Sequence, residues 1–282
     1  MMQIEREGAG APVSNAVDGE NLVSGGTGIF DSHAHYDSEA FEGDRDELLA
    51  ALPGRGIVGV VNCGSDLDSS RYSIQLAQKF SYFYAAVGVH PQECGKYQDF
   101  ASCQSELSGL AGQKKVVAIG EIGLDYHYDC APREVQKAWF EQQIMLAKAL
   151  SVPVIVHDRE AHEDTMKLLR AHRPQGVVHC FSGSVEMARE VLSLGMYIGL
   201  GGAVTFKNAK TPPAVAAAIP LDRLLLETDA PYMTPVPRRG KRCDSTDIRY
   251  TAARIAELRA CPVEMILQAG ERNARELFAI SV

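Results

Sequence analysis

The chain has 282 residues, of which 46% are hydrophobic and 23% charged, and Lys+Arg 28 against Asp+Glu 36 gives a net charge of −8. That balance describes a globular protein able to bury a sizeable core; it excludes disordered and collagen-like classes, and no run approaches the ~18 uninterrupted apolar residues of a spanning helix. The acid excess also excludes coating a polyanion through bulk charge, so any such ligand must be gripped locally.

Residues 1–27 are rich in Gly, Ala, Ser and Asn, show no apolar period and read as a flexible extension. They lack the cationic-then-apolar layout of a secretory signal, and the seven cysteines form no CxxC pair. Reduced thiols and a cytoplasmic address are therefore expected.

From residue 28 onward, short apolar runs alternate with segments of helical period. The runs predict strands at 29–32, 57–62, 83–89, 116–120, 154–156, 177–178, 197–200 and 224–226. Pro132 opens a helix with Phe140, Ile144, Ala147 and Leu150 on one face, and Ser184 opens another carrying Val185, Ala188 and Leu192. Eight such units in about 250 residues predict a single α/β domain over 28–282, a (β/α)8 TIM-type barrel. No GxGxxG turn follows the first strand, which counts against a dinucleotide-binding sheet. The helices after Thr246 have no strand left to serve and are expected to complete the outer layer.

In such a barrel the carboxyl ends of all strands meet on one face, where catalytic groups are carried. In the stretch IFDSHAHYD (29–37), a strand period of two points Asp31, His33 and His35 one way, and two imidazoles so spaced can bind one metal ion. The third run leads to His90, the fourth to Glu121, the fifth to His157, the sixth to His179 and the eighth to Asp229. Each alone reads equally well as a structural histidine or a solvated carboxylate; their recurrence at strand ends predicts a metal site.

Longer motifs sharpen this. GEIGLDY (120–126), VHDREA (156–161), HCFSGS (179–184) and LLLETDAPYMTP (224–235), together with VGVHP (87–91) and GGAVTFKNAK (201–210), resemble the TatD family of metal-dependent deoxyribonucleases within the amidohydrolase superfamily. The resemblance covers essentially everything from Ile29 on. It implies two divalent metal ions (zinc, magnesium or manganese), one held by His33, His35 and Asp229, the other by His157 and His179, with Glu121 as the bridge. A shared carboxylate offsets the repulsion of two cations about 3.5–4 Å apart, and a bound cation lowers the pKa of water from about 15.7 towards ~7. Asp229 and Glu121 are then the expected catalytic residues, with Asp229 relaying the proton.

Asp31 is placed to orient one imidazole from its far side, or equally to cap a turn. His90, Arg159 and Arg239 are the expected substrate contacts, with a structural histidine and a rim salt bridge as the other readings of His90 and Arg159. Arg239 belongs to the basic stretch PVPRRGKR (235–242), with Arg238, Lys241 and Arg242, which reads as a solvated loop or a polyanion grip; Tyr232 and Tyr250 offer faces for unpaired bases. Where the family pattern continues Asn-Glu-Pro, this chain has Cys243, Asp244 and Ser245. The activity implied is 3′-5′ exonuclease action on single-stranded DNA, with no membrane and no obligate protein partner. The alternatives are a metal-dependent ester hydrolase such as a D-aminoacyl-tRNA deacylase, and a non-catalytic scaffold.

Overall fold

The computed structural model describes residues 28–281; the predicted extension over 1–27 lies outside them. Eight strands pair in parallel and in sequential order: β1 (Ile29–Ala34), β2 (Ile57–Cys63), β3 (Phe83–Val87), β4 (Val116–Asp125), β5 (Val154–Arg159), β6 (Gly176–Val178), β7 (Tyr197–Leu200) and β8 (Leu224–Leu226). Among the described residues, helices α1 (Arg45–Ala51), α2 (Leu67–Lys79), α3 (Ala101–Ala111), α4 (Arg133–Leu150), α5 (His162–His172), α6 (Val185–Ser193) and α7 (Thr211–Ala218) connect them, and α8 (Ile248–Arg259) and α9 (Val263–Leu277) follow β8. The predicted eight-strand barrel is the architecture found. No helix among the described residues is long and apolar enough to cross a membrane.

The barrel interior is packed, as its strand period demands. One cluster takes Phe30, Val61, Ala86, Ala118, Ile155, Val177, Tyr197 and Leu225, one residue from each strand, and joins them to Phe278 and Ile280 near the C-terminus. The alternate residues, among them Val60, Ile119, Val154, Val178, Ile198 and Leu226, face the helices in a second cluster. Period two therefore sets which residue looks inward at every strand.

Two strands interrupt that period where function needs it. In β1, Asp31 pairs with Val60 but Ala34 pairs with Asn62, so one extra residue is accommodated before His33 and His35. In β4, Ile119 pairs with Val154 and Ile122 with Val156, which places Gly120 and Glu121 in the irregular step. An extra residue re-aims the side chains that follow it. β4 also runs beyond its predicted end at residue 120, because Gly123 lets the chain lie close to β5: its φ is +146°, and an added Cβ would stand 2.0 Å from the His157 carbonyl oxygen.

The seam between β1 and β8 closes the ring. Ala34 bridges Ala230 in parallel, the Asp229 amide donates to the His33 carbonyl at 2.9 Å, and the His35 amide donates to the Ala230 carbonyl at 2.7 Å. α9 covers this seam from outside, where Gly270 lies against Leu226 and the Asn273 amide donates to the Leu221 and Leu224 carbonyls at 2.7 and 2.8 Å. The terminal helices thus complete the outer layer as expected.

Asp31 does not orient an imidazole, contrary to expectation. Fully buried, it accepts from the Thr228 hydroxyl at 2.6 Å and amide at 3.1 Å and from the Ser245 hydroxyl at 2.7 Å, and so pins β1 to the strand-8 exit. Burial pushes its pKa up to about 6, against the pull of these donors. Replacing Asp31 with Ala strands several buried donors, each worth about 1–3 kcal/mol. Asp31→Ala is expected to lose about 3 kcal/mol or more and to lower Tm by roughly 6–12 °C, read by thermal unfolding; an unchanged Tm would mean the seam does not depend on it.

Candidate metal centre

At the carboxyl mouth, the period of two carries the interior inward-facing series upward: Ile155 leads to His157, Val177 to His179, and Leu225 to Glu227 and then Asp229. β7 supplies Gly199 at the equivalent level, where a Cβ would meet the Glu227 carboxylate at 2.4 Å. The irregular steps in β1 and β4 deliver His33, His35 and Glu121 to the same place. All six residues expected to bind metal are brought together.

They form two donor sets that share Glu121. In the first, His33 Nε2 and His35 Nε2 are 3.0 Å apart, Glu121 Oε2 is 3.4 and 3.3 Å from them, and Asp229 Oδ1 is 3.6 and 3.4 Å from them. Ligands about 2.0–2.2 Å from one tetrahedral cation stand roughly 3.3–3.6 Å from each other. The nitrogen and oxygen donors therefore fit a divalent cation in both chemistry and spacing. In the second set, Glu121 Oε1 is 2.9 Å from His157 Nδ1 and 2.7 Å from His179 Nε2. His90 joins this side, with Nε2 3.6 Å from Glu121 Oε1 and its ring edge-on to His157 at 4.4 Å. His33 and His179 stack at 3.8 Å, nearly parallel, and tie the two halves together.

The far nitrogens decide which lone pairs face inward. His35 Nδ1 donates to the Cys63 carbonyl at 2.9 Å, leaving Nε2 free to point at the pocket. His157 Nε2 donates to Asp125 Oδ2 at 3.2 Å, leaving Nδ1 towards Glu121. Asp125, fully buried, is held by the Gln92 amide at 2.7 Å and by the backbone amides of His127 and Tyr128 at 3.0 and 2.9 Å. On β4 the sequence reading stops at Glu121, the first polar residue after the apolar run, and misses Asp125; on β8 it goes past Glu227 to Asp229, although the strand period from Leu225 points Glu227 inward.

The electrostatics follow from burial set against this crowding. Burial lowers the His33 pKa, and the His179 charge beside it adds to that, to about 4. For His157, burial also lowers the value, but the hydrogen bonds to Asp125 and Glu121 outweigh it and lift the pKa to about 9. Glu121 would be raised by burial, yet the His179 charge and the hydrogen bond from His157 hold it well below the ordinary carboxylate range. Glu227 has no such ring of partners, and burial lifts it to about 8. Its Oε1 accepts from the Cys180 amide, while Oε2 and the nearby His179 Nδ1 are both buried without a hydrogen bond.

The three expected substrate residues are distributed differently. His90 lies in the pocket, whereas Arg159 is exposed at the rim over the Tyr128 ring, at 4.7 Å, and Arg239 is exposed over Phe206, at 4.2 Å. The basic loop is less available than its composition implies. Arg238 pairs with Asp247 at 2.9 Å and Arg242 with Asp44 at 2.6 Å, so two of its four cations are neutralised. The residues that replace Asn-Glu-Pro are structural: Cys243 is buried, Asp244 caps the turn over Ser245–Asp247, and the Ser245 hydroxyl reaches Asp31 and Tyr36. Tyr250 is half-buried in α8.

A parallel barrel whose mouth gathers imidazoles and carboxylates at ligand spacing has the design of a metal-dependent hydrolase. The family profile described as TatD related DNase matches residues 30–279, and the chain belongs to that family. It is 40% identical to the uncharacterized metal-dependent hydrolase YabD of Bacillus subtilis, over 90% of this chain and 100% of the relative. It is 33% identical to the 3′-5′ ssDNA/RNA exonuclease TatD of Cronobacter sakazakii, over 89% and 97% of the two chains. The crystal structure of YjjV, a TatD homologue from Escherichia coli, superimposes with a TM-score of 0.83 at 34% identity, covering 90% of this chain and 98% of that one.

Asp125 orients His157, so exchanging its accepting oxygen for an amide should loosen a bound cation. Asp125→Asn is expected to keep its fold by circular dichroism and to bind zinc or manganese 10–100-fold more weakly by calorimetry. Unaltered affinity would deny it that role.

Proposed function

We propose that this protein hydrolyses phosphodiester bonds in DNA, trimming single strands from the 3′ end, at a centre of two divalent cations bridged by Glu121. The observation that carries the reading is the division of Glu121, one oxygen towards His33 and His35 and the other towards His157 and His179. The choice of a polynucleotide rests on the named activity of the Cronobacter relative. Four imidazoles favour zinc or manganese over magnesium, which prefers all-oxygen octahedra.

When bound, the cations supply the positive charge that a phosphoryl transition state and its attacking water require. Asp229 turns Oδ1 to His33 and His35. Although burial alone would raise its pKa, the His35 hydrogen bond and the charges of His35 and His179 hold it low, so it is ionised at neutral pH. Its other oxygen takes the proton of the attacking water and returns it to the leaving oxygen. His90 is neutral, because burial, assisted by the neighbouring His157 charge, takes its pKa down to about 3. Its Nδ1 accepts from the Gln92 amide at 3.2 Å, so Nε2 carries the hydrogen and donates to a phosphate oxygen. Arg159 and Arg239 meet the backbone phosphates beyond the scissile one.

Incubation with labelled single-stranded DNA tests this directly. Nucleotide release is expected to stop on chelation and to return when zinc or manganese is restored. Asp229→Asn, with its metal content checked by elemental analysis, is expected to lower kcat by about 10²–10⁴-fold. Release that ignores the chelator would sink the metal mechanism, and loss of an aminoacyl ester in place of nucleotides would move the substrate to the deacylase class.

A further inference from the structure

Two aromatic side chains at the mouth are unusually exposed. Tyr128 and Tyr232 are 57% and 59% exposed, and no other Phe, Tyr or Trp among the described residues stands with the large exposed hydrophobics. Both follow strands that feed the centre, and each is tied to it by one backbone bond. The Tyr128 amide donates at 2.9 Å to Asp125, whose other oxygen holds His157, while the Tyr232 amide donates at 2.8 Å to the Asp229 carbonyl. Tyr128 therefore stands beside the second donor set and Tyr232 beside the first. With strands in the order β1 to β8 around the ring, the exits of β4 and β8 lie on opposite sides of the mouth.

The surroundings of the two rings favour a polynucleotide. Tyr128 carries the Arg159 guanidinium over its ring at 4.7 Å and the His127 ring perpendicular to it at 4.9 Å, which hold it in place at the rim, and among the described residues Arg159 makes no ion pair with a carboxylate, so its charge is unspent. No ring or cation among the described residues packs on Tyr232. An exposed phenol costs solubility and contributes nothing to this core, whereas an aromatic face beside an unpaired arginine matches a base next to its phosphate.

We propose that Tyr128, backed by Arg159, and Tyr232 are base-stacking platforms on opposite sides of the reacting phosphate, and that they make the enzyme select unpaired strands. A base can lie on a rim tyrosine only if it has left its duplex partner, so the platforms accept a single strand and reject a paired one. This inference rests on the phosphodiesterase reading above and adds the recognition element to it.

The test uses the metal-loaded full chain and two oligonucleotides of equal length, one normal and one abasic at its last three positions. For the wild type, the abasic substrate is expected to have a KM at least fivefold above the normal one. Tyr128→Ala and Tyr232→Ala are each expected to raise KM for the normal strand about 5- to 100-fold, the loss typical of a removed stacking ring, with kcat changed less than KM. Tyr128→Phe and Tyr232→Phe, which keep the ring, are expected to stay within about twofold of wild type. In the double alanine variant the ratio of abasic to normal KM should fall towards one, and its thermal unfolding checks that the fold is intact. Cleavage by the wild type with no response to either alanine substitution overturns the platforms alone, and failure of the phenylalanine variants to rescue assigns the effect to the hydroxyl and also overturns stacking. If the wild type releases nucleotides from neither oligonucleotide, the phosphodiesterase reading falls and takes the platforms with it.

Discussion

A carboxylate taken out of water is costly unless opposite charge surrounds it, and Glu121, only 4% exposed, is the place where this protein accepts that cost. Its Oε2 faces His33 and His35, and its Oε1 faces His157, His179 and, at 3.6 Å, His90. The arrangement is stable only if the rings supplied by β1, β5 and the exit of β6 arrive together, which makes the carboxylate and the imidazoles mutually dependent. The hydrogen bonds that join His157 to Asp125 and Glu121 outweigh its burial and lift its pKa to about 9, which places positive charge beside the buried carboxylate.

The barrel meets this demand through departures from its own regularity. A strict period of two brings His157, His179 and Glu227 inward above Ile155, Val177 and Leu225, but it cannot do the same for β1 and β4. There the added residue before His33 and at Glu121 shifts the side chains by one position. Behind the ligands, the Cys63 carbonyl and Asp125 fix the rings of His35 and His157 by their far nitrogens. The lining therefore combines regular pleat, local irregularity and outer hydrogen bonds, each acting on different residues.

Much of this was legible in the chain, because apolar runs of strand length are dictated by burial on both faces. All eight strands fall where those runs predict, and reading the residue past each run reached His90, Glu121, His157 and His179, with Asp229 three positions past the last. What escaped depended on long-range partners. Gly120 and Gly123 look like a strand end in the sequence, yet β4 continues through them because β5 lies close enough to need no Cβ. Asp31 looked like an imidazole partner by spacing, but it meets Thr228 and Ser245, about two hundred positions away in the chain. The charge run over 235–242 looked open because its carboxylate partners, Asp44 and Asp247, lie outside it. Local pattern records burial and pleat, while pairing across the molecule leaves little trace in it.

The seam between the first and last strands has a bearing on biosynthesis. Asp229 reaches His33 through a backbone hydrogen bond that joins opposite ends of the barrel sequence, and α9, which covers that junction, comes later still. A nascent chain emerging from the ribosome carries the histidines of β1 long before the aspartate that completes their donor set. The side chains at the mouth are thus gathered only when β8 meets β1, so closing the ring and assembling the donor set are a single event.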